Sequence, residues 1–139
     1  MRIVFDANVV VAGAGWRGES HLCLIALARR RLQAYASVWT LDELRTTCSD
    51  LDKEKRFRHS PWTILNWYYC KVRMIEPADL GKQRSRDAKD DPYLAVAVAA
   101  GAKLLCSHDR DLLDLEKPFG IQIVTPRILL SRLYSLREV

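Results

Sequence analysis

The chain predicts an α/β fold: a central, mainly parallel five-stranded sheet covered by helices on both faces. Three observations predict it. Short apolar runs alternate with helix-spaced segments along the whole chain, the pattern of successive strand–helix units. The first run, Ile3-Val4-Phe5, is continuously apolar, as a central strand buried on both faces must be. It ends on Asp6, and a carboxylate at the carboxyl end of such a strand stands where open α/β sheets place their ligands.

The elements follow in order. The first strand runs to Phe5. A stretch containing Gly13, Gly15 and Gly18 reads as a loop leading to a helix that opens near Ser20. Leu22, Ile25, Leu27 and Ala28 are expected to form the inner face of that helix, and Arg29-Arg30-Arg31 its basic end. Gln33 to Ser37 reads as the second strand. Thr40-Leu-Asp-Glu43 matches a capping box and starts a helix expected to reach Thr47. Residues 52–70 look helical with a break at Ser60-Pro61, and Lys71 to Ile75 form a third strand. Glu76 to Lys89 is a polar connection. Tyr93, Leu94, Ala97 and Val98 lie at helical spacing before Gly101, a C-terminal stop. Lys103 to Cys106 is the fourth strand, Asp109 to Glu116 a short helix, and Ile121 to Val124 the fifth strand. Thr125-Pro126 supplies an N-cap and a first-turn proline for the last helix.

Size and composition fit one domain spanning 1–139, with 49% hydrophobic residues to fill one core. No apolar stretch is long enough to cross a membrane, and the N-terminus reads as a strand, not a signal peptide. The four cysteines fall in apolar segments with no C-x-x-C pair, and with three histidines they complete no zinc pattern. Reduced, buried thiols and a cytoplasmic location follow as expectations. Net charge is 22 − 17 = +5, concentrated in Arg29–Arg31, in Lys53, Lys55, Arg56 and Arg58, and in Lys82, Arg84, Arg86 and Lys89. A basic surface around an acidic site suits a polyanion held by its backbone.

Acids at element boundaries carry the chemistry. Asp6 follows the first strand, with Asn8 placed either to cap the loop or to orient the carboxylate. Glu43 serves either its capping box or the site, while Asp42 faces solvent. In Asp90-Asp91-Pro92, proline at the first helical position makes Asp91 the N-cap and leaves Asp90 free, though the two exchange roles if the helix starts one residue away. Asp87 is a further ligand or a brace for Arg84 and Arg86. In Ser107-His-Asp109-Arg-Asp111, one acid caps the short helix and the other is open to a metal, Ser107 can donate to a ligand or a phosphate, and His108 reads as a solvated or structural loop residue. Acids converging at one end of a sheet repel unless they hold a cation. Two divalent ions bridged by such carboxylates, about 3.5–4 Å apart, lower the pKa of water and stabilise a leaving oxygen. Magnesium suits the hard oxygen donors.

With these residues in place, the chain resembles the PIN-domain nucleases, and within them the toxin components of bacterial and archaeal toxin–antitoxin pairs (VapC-like). The resemblance rests on Val4-Phe-Asp6-Ala-Asn8, Ser37-Val-Trp-Thr-Leu-Asp-Glu43-Leu, Asp87-Ala-Lys-Asp90-Asp-Pro-Tyr-Leu-Ala-Val-Ala, Ser107-His-Asp109-Arg-Asp-Leu-Leu and Gly120-Ile-Gln-Ile-Val-Thr-Pro126. It implies a three-layer α/β/α fold. Asp6, Glu43, Asp90 and Asp109 become the acidic quartet that holds Mg2+ or Mn2+, with Asn8, Ser107 and Asp111 in support. It also implies an endoribonuclease cutting single-stranded or looped RNA to a 5′-phosphate and a 3′-hydroxyl, a homodimer, and inhibition by a cognate antitoxin protein. Ala7 departs from the usual threonine, Asp87-Ala-Lys-Asp90 from the usual Asp-Pro start, and Ser107-His108 from a Thr-Gly pair; none removes an acid. Lys82, Arg84, Arg86 and Lys89, which precede Asp90, are the expected RNA track. A binding module that grips RNA or a partner without turnover and a housekeeping RNA-processing nuclease are the alternatives. A phosphoacceptor domain with Asp6 as nucleophile would need a lysine with a defined role beside the acids. For the antitoxin, Trp39, Trp62, Trp67, Tyr68 and Tyr69 are the aromatic candidates.

Overall fold

Five short strands form one all-parallel sheet: β1 (Arg2–Phe5), β2 (Gln33–Ala36), β3 (Arg73–Met74), β4 (Leu104–Cys106) and β5 (Gln122–Val124), in the order β3-β2-β1-β4-β5. The computed structural model describes residues 1–138, and side chains through residue 135. Among them, helices α1 (Ala7–Gly15), α2 (Glu19–Ala28), α3 (Val38–Lys53), α4 (Trp62–Lys71), α5 (Asp91–Ala100), α6 (Arg110–Leu113) and α7 (Pro126–Glu138) complete a three-layer α/β/α fold. None is long and apolar enough to cross a membrane.

The sheet's register places the site. Phe5 pairs with Cys106, and the Asp6 N–H donates to the Cys106 carbonyl at 2.9 Å. The chain leaves β1 toward β2 on one side, and β4 enters on the other, so β1 and β4 flank the point where strand order reverses. Crevices of parallel sheets open there, at the carboxyl ends of the strands. Both central strands are buried along their apolar runs, Ile3 to Phe5 and Leu104 to Cys106.

Where the sequence predicts a glycine loop, the structure has α1. Its Val9, Val10 and Val11 are all buried, so no polar face announces a helix. Gly13 is needed for contact: a Cβ there would meet Leu24 Cδ1 at 2.6 Å and the Ser20 carbonyl at 3.0 Å, because α2 lies against it. The inner face of α2 is Cys23, Leu24, Ala26 and Leu27, whereas Leu22 and Ala28, expected on it, are exposed. Helix α3 begins two residues earlier than Thr40 and runs past Thr47 to Lys53. Its capping box pairs Ser37 with Thr40: the Ser37 hydroxyl accepts from Thr40 N–H at 3.3 Å, and Thr40 Oγ1 accepts from Ser37 N–H at 2.9 Å. Residues 54–61 are non-helical, and α4 starts after Pro61. Gly101 ends α5 in the left-handed region, φ 64°, as a C-terminal glycine does. The Thr125 hydroxyl caps α7 by accepting from Ile128 N–H at 3.3 Å. Of the four free cysteines, Cys23, Cys48 and Cys106 are buried, but Cys70 is exposed.

Candidate active site

A cavity of about 650 Å³ opens at the carboxyl ends of β1 and β4, walled by the first turn of α1, one face of α3 and the short turn from Asp87 to Asp90 that precedes α5. Seven acids line it: Asp6, Asp42, Glu43, Asp50, Asp87, Asp90 and Asp109. Lys89 is the one cation among the lining residues.

Asp6, Asp90 and Glu43 are each held by a hydroxyl. Asp6, 4% exposed at the end of β1, accepts from Ser107 Oγ at 2.7 Å. The same fully buried Ser107 Oγ accepts from Asp109 N–H at 2.8 Å, tying the ends of the two central strands together. Asp90, 5% exposed, accepts from Ser85 Oγ at 3.1 Å. Glu43, freed from capping because Ser37 and Thr40 form the box, accepts from the Tyr93 hydroxyl at 2.5 Å. Carboxylate oxygens of Asp87, Asp90 and Asp109 lie within 4.8 Å of one another. Asp6 and Glu43 are outside that trio, but the charge of Asp6 acts on Asp90 and that of Glu43 acts on Asp6.

The electrostatics show what the clustering costs. Burial, then the charges of Asp109 and Glu43, push the Asp6 carboxyl above its ordinary value, with Ser107 and the Ala7 N–H opposing. Burial, the hydrogen bond to Asp109 and the neighbouring charges of Asp109 and Asp6 push Asp90 up to about 7, against the Ser85 hydroxyl. Burial and the acceptor Glu43 hold the Tyr93 phenol protonated, so it remains a donor.

The supporting residues divide differently from expectation. Asp91 does not cap α5; it accepts the Arg84 N–H and the Ser85 N–H, both at 2.8 Å, and so braces the loop that carries Ser85 to Asp90. Asp87 caps the short 3-10 turn Ala88–Asp90 by accepting from Lys89 N–H at 3.0 Å and braces neither arginine. Asp109 does both jobs that the sequence divides between two acids. It caps α6, accepting from Asp111 N–H at 2.9 Å, and it joins the carboxylate trio. Asp111 instead pairs with Arg86 at 3.1 Å, and Arg86 also reaches Asp114 at 2.8 Å. Asn8 is exposed in the first turn of α1 and lines the cavity. His108 is exposed.

The expected RNA track is only partly free. Arg84 donates to the Leu80 carbonyl at 2.9 Å and lies 4.9 Å from the centre of the Phe119 ring. Lys89 faces the acidic cavity, and Lys82 is exposed in an adjoining groove. Sequence reasoning passed over Ser85, set in a run of arginines, and Tyr93, read as an apolar helix position. It also passed over Asp50 and took Asp42 for a purely solvated residue. The signal was present: Trp39, Glu43, Thr46, Thr47 and Asp50 recur at helical spacing, which puts them on one face of α3.

This donor set fits a hard divalent cation. It offers carboxylate oxygens alone, without thiol or imidazole, and the raised carboxyl pKa values mark negative charge that a cation would relieve.

The comparisons with known proteins agree with this geometry. A family model described as the PIN domain matches residues 2–111. Among solved structures, that of PAE2754 from Pyrobaculum aerophilum superposes with a TM-score of 0.63 at 23% identity, covering 97% of this chain and 90% of the other, and so shares the fold. No curated protein matched the chain. PIN domains are generally metal-dependent nucleases, and a family match over residues 2–111 together with an acidic trio at the strand ends places this chain in the PIN-domain family.

Proposed function

We propose that the protein is an endoribonuclease that hydrolyses phosphodiester bonds of single-stranded RNA with Mg2+ or Mn2+. Asp6, Asp90 and Asp109 hold the metal, with Glu43 as a ligand directly or through water. The observation that carries this reading is the trio Asp87, Asp90 and Asp109 within 4.8 Å, beside a buried Asp6 whose carboxyl is itself pushed up. A pair of divalent ions, when bound, supplies a nucleophile at neutral pH and steadies the leaving oxygen.

The chain's own residues prepare that chemistry. Ser107 sets the rotamer of Asp6 and the backbone of Asp109 with one hydroxyl. Ser85 holds Asp90, and Tyr93 holds Glu43, so the ligands are oriented before any ion arrives. Lys89 offers a cation to a phosphate at the mouth of an otherwise acidic cavity. No histidine lines the cavity, which suits hydrolysis without a side-chain base.

The biological role we propose is the toxin of a type II toxin–antitoxin pair, acting as a homodimer in the cytoplasm and silenced by a cognate antitoxin. Apolar side chains exposed on α2 and α7, Leu22, Ile128 and Tyr134, support a protein-binding face. Cleavage of single-stranded RNA tests the enzymatic reading: it should need Mg2+ or Mn2+, stop with chelator, and fall by two orders of magnitude or more in Asp6→Asn. Undiminished cleavage by Asp6→Asn would refute the assignment. Growth arrest on induction, relieved by a small protein encoded beside it, tests the toxin role.

A further inference from the structure

Trp39 stands in the first turn of α3, 44% exposed, although it is large and apolar. Its ring packs edge-to-face on Tyr93, with centroids 6.3 Å apart and planes at 82°. Tyr93 is 2% exposed and its hydroxyl is held by Glu43, so the indole is braced by a fixed ring that belongs to the acidic site. Trp39 lines the acidic cavity and also two grooves that continue from it. Those grooves carry Val38, Met74 and Pro77, and Val38 is 67% and Met74 53% exposed. Within one side chain's width the surface changes from clustered carboxylates to a shelf of Val38, Met74 and Pro77, edged by Asp42, Glu76 and Asp79, with Lys82 farther along it.

That change of character matches a nucleotide, whose phosphate wants the metal site and whose flat base wants an aromatic face. We propose that Trp39 is the stacking platform for the unpaired base next to the scissile phosphate, and hence a residue that selects single-stranded over paired RNA. The inference rests on the nuclease reading above. A base inside a duplex already has both faces stacked, so it reaches Trp39 only after unstacking, whereas a single strand offers its bases freely. A stack of this kind tolerates any base, because each has a π-face, so it selects strandedness more than sequence.

The test combines a protein change with an RNA change. Binding of a cleavable single-stranded oligonucleotide is measured with proteins carrying Asp6→Asn to prevent cutting, alone and combined with Trp39→Phe or Trp39→Ala. Each is assayed against intact RNA and against RNA lacking one base beside the mapped cleavage site. Trp39→Ala should weaken binding of intact RNA about tenfold, and Trp39→Phe much less. Removing the base should cost the parent protein a similar factor and cost the Trp39→Ala protein almost nothing. In proteins with active acids, Trp39→Ala should raise KM more than it lowers kcat and should narrow the preference for single strands over duplex. Matching melting temperatures exclude a folding defect, and the Phe variant keeps the test valid if Ala unfolds the chain. Additive losses from Trp39→Ala and base removal, or no loss from either, would overturn the stacking role while leaving the nuclease reading intact. So would an effect confined to association with a protein partner, which would assign the shelf to that partner. Failure of the parent protein to bind or cut any RNA would instead remove the nuclease reading, and this role with it.

Discussion

Asp90 shows at the scale of one residue what the site asks of the fold. Its carboxyl, buried and beside Asp109 and Asp6, is pushed up to about 7, far above the unfolded value of about 3.9. In that window the folded chain binds more protons than the unfolded one, so stability is full below about pH 4 and is lost as pH rises through about 7. The metal-free protein should therefore melt at falling temperature between pH 5 and pH 8. Asp90→Asn, which keeps an acceptor for Ser85, should flatten that profile and raise the melting temperature at pH 8. A wild-type profile that rises across this range would contradict the crowding. Asp91 behaves oppositely. Its two backbone acceptor bonds make Asp91→Ala destabilising by about 1–3 kcal/mol in chemical denaturation, with the metal-dependent gain in melting temperature retained. Asp6, Asp90 and Asp109 were legible in the sequence because acids at strand and helix ends are conspicuous. Ser85 and Tyr93 were not, since a hydroxyl announces its acceptor only when the fold brings the two together from distant parts of the chain.

Elements are legible in the sequence where their ends carry local chemistry. Gly101 marks a helix end by its backbone geometry and Thr125-Pro126 a helix start by a hydroxyl cap and a fixed φ, and the structure has those boundaries. Helix α1 was misread because its glycines serve packing: Gly13 lets α2 approach, a tertiary fact invisible in a window of nine residues. Gly13→Ala should thus cost about 1–3 kcal/mol by overpacking against Leu24, even though alanine is the better helix former. A stabilised Gly13→Ala protein would mean that α1 and α2 can separate freely. The capping box was displaced for a related reason. Both Ser37 and Thr40 satisfy the local rule, and the strand end at Ala36 decides that Ser37 is the cap. That shift of three residues is what releases Glu43 into the cavity.

At the scale of the molecule, an acidic cavity sits in a chain of net charge +5. The basic groups nearest the mouth are unequal: Arg86 is held by Asp111 and Asp114 and Arg84 by Leu80 and Phe119, whereas Lys89 faces the cavity. Removing Lys89 should make the slope of log affinity against log salt shallower by about 0.7, one phosphate contact on a single strand. Arg86→Ala should change that slope less and stability more. The sheet order and the meeting of β1 with β4 put Asp6 beside Asp109 from 103 positions away, so strand alternation in the sequence was enough to foresee a site at the strand ends. The trio's spacing was not foreseeable, because it depends on the braced loop from Arg84 to Asp90. Thermal unfolding at pH 8 with and without millimolar Mn2+ tests most directly whether the acids exist to hold a cation. Asp109→Asn is the decisive comparison, because asparagine keeps the α6 cap while removing the charge. Wild type should gain several degrees with Mn2+, and Asp109→Asn should start higher and gain little. Identical wild-type curves with Mn2+ and with chelator would contradict a metal site.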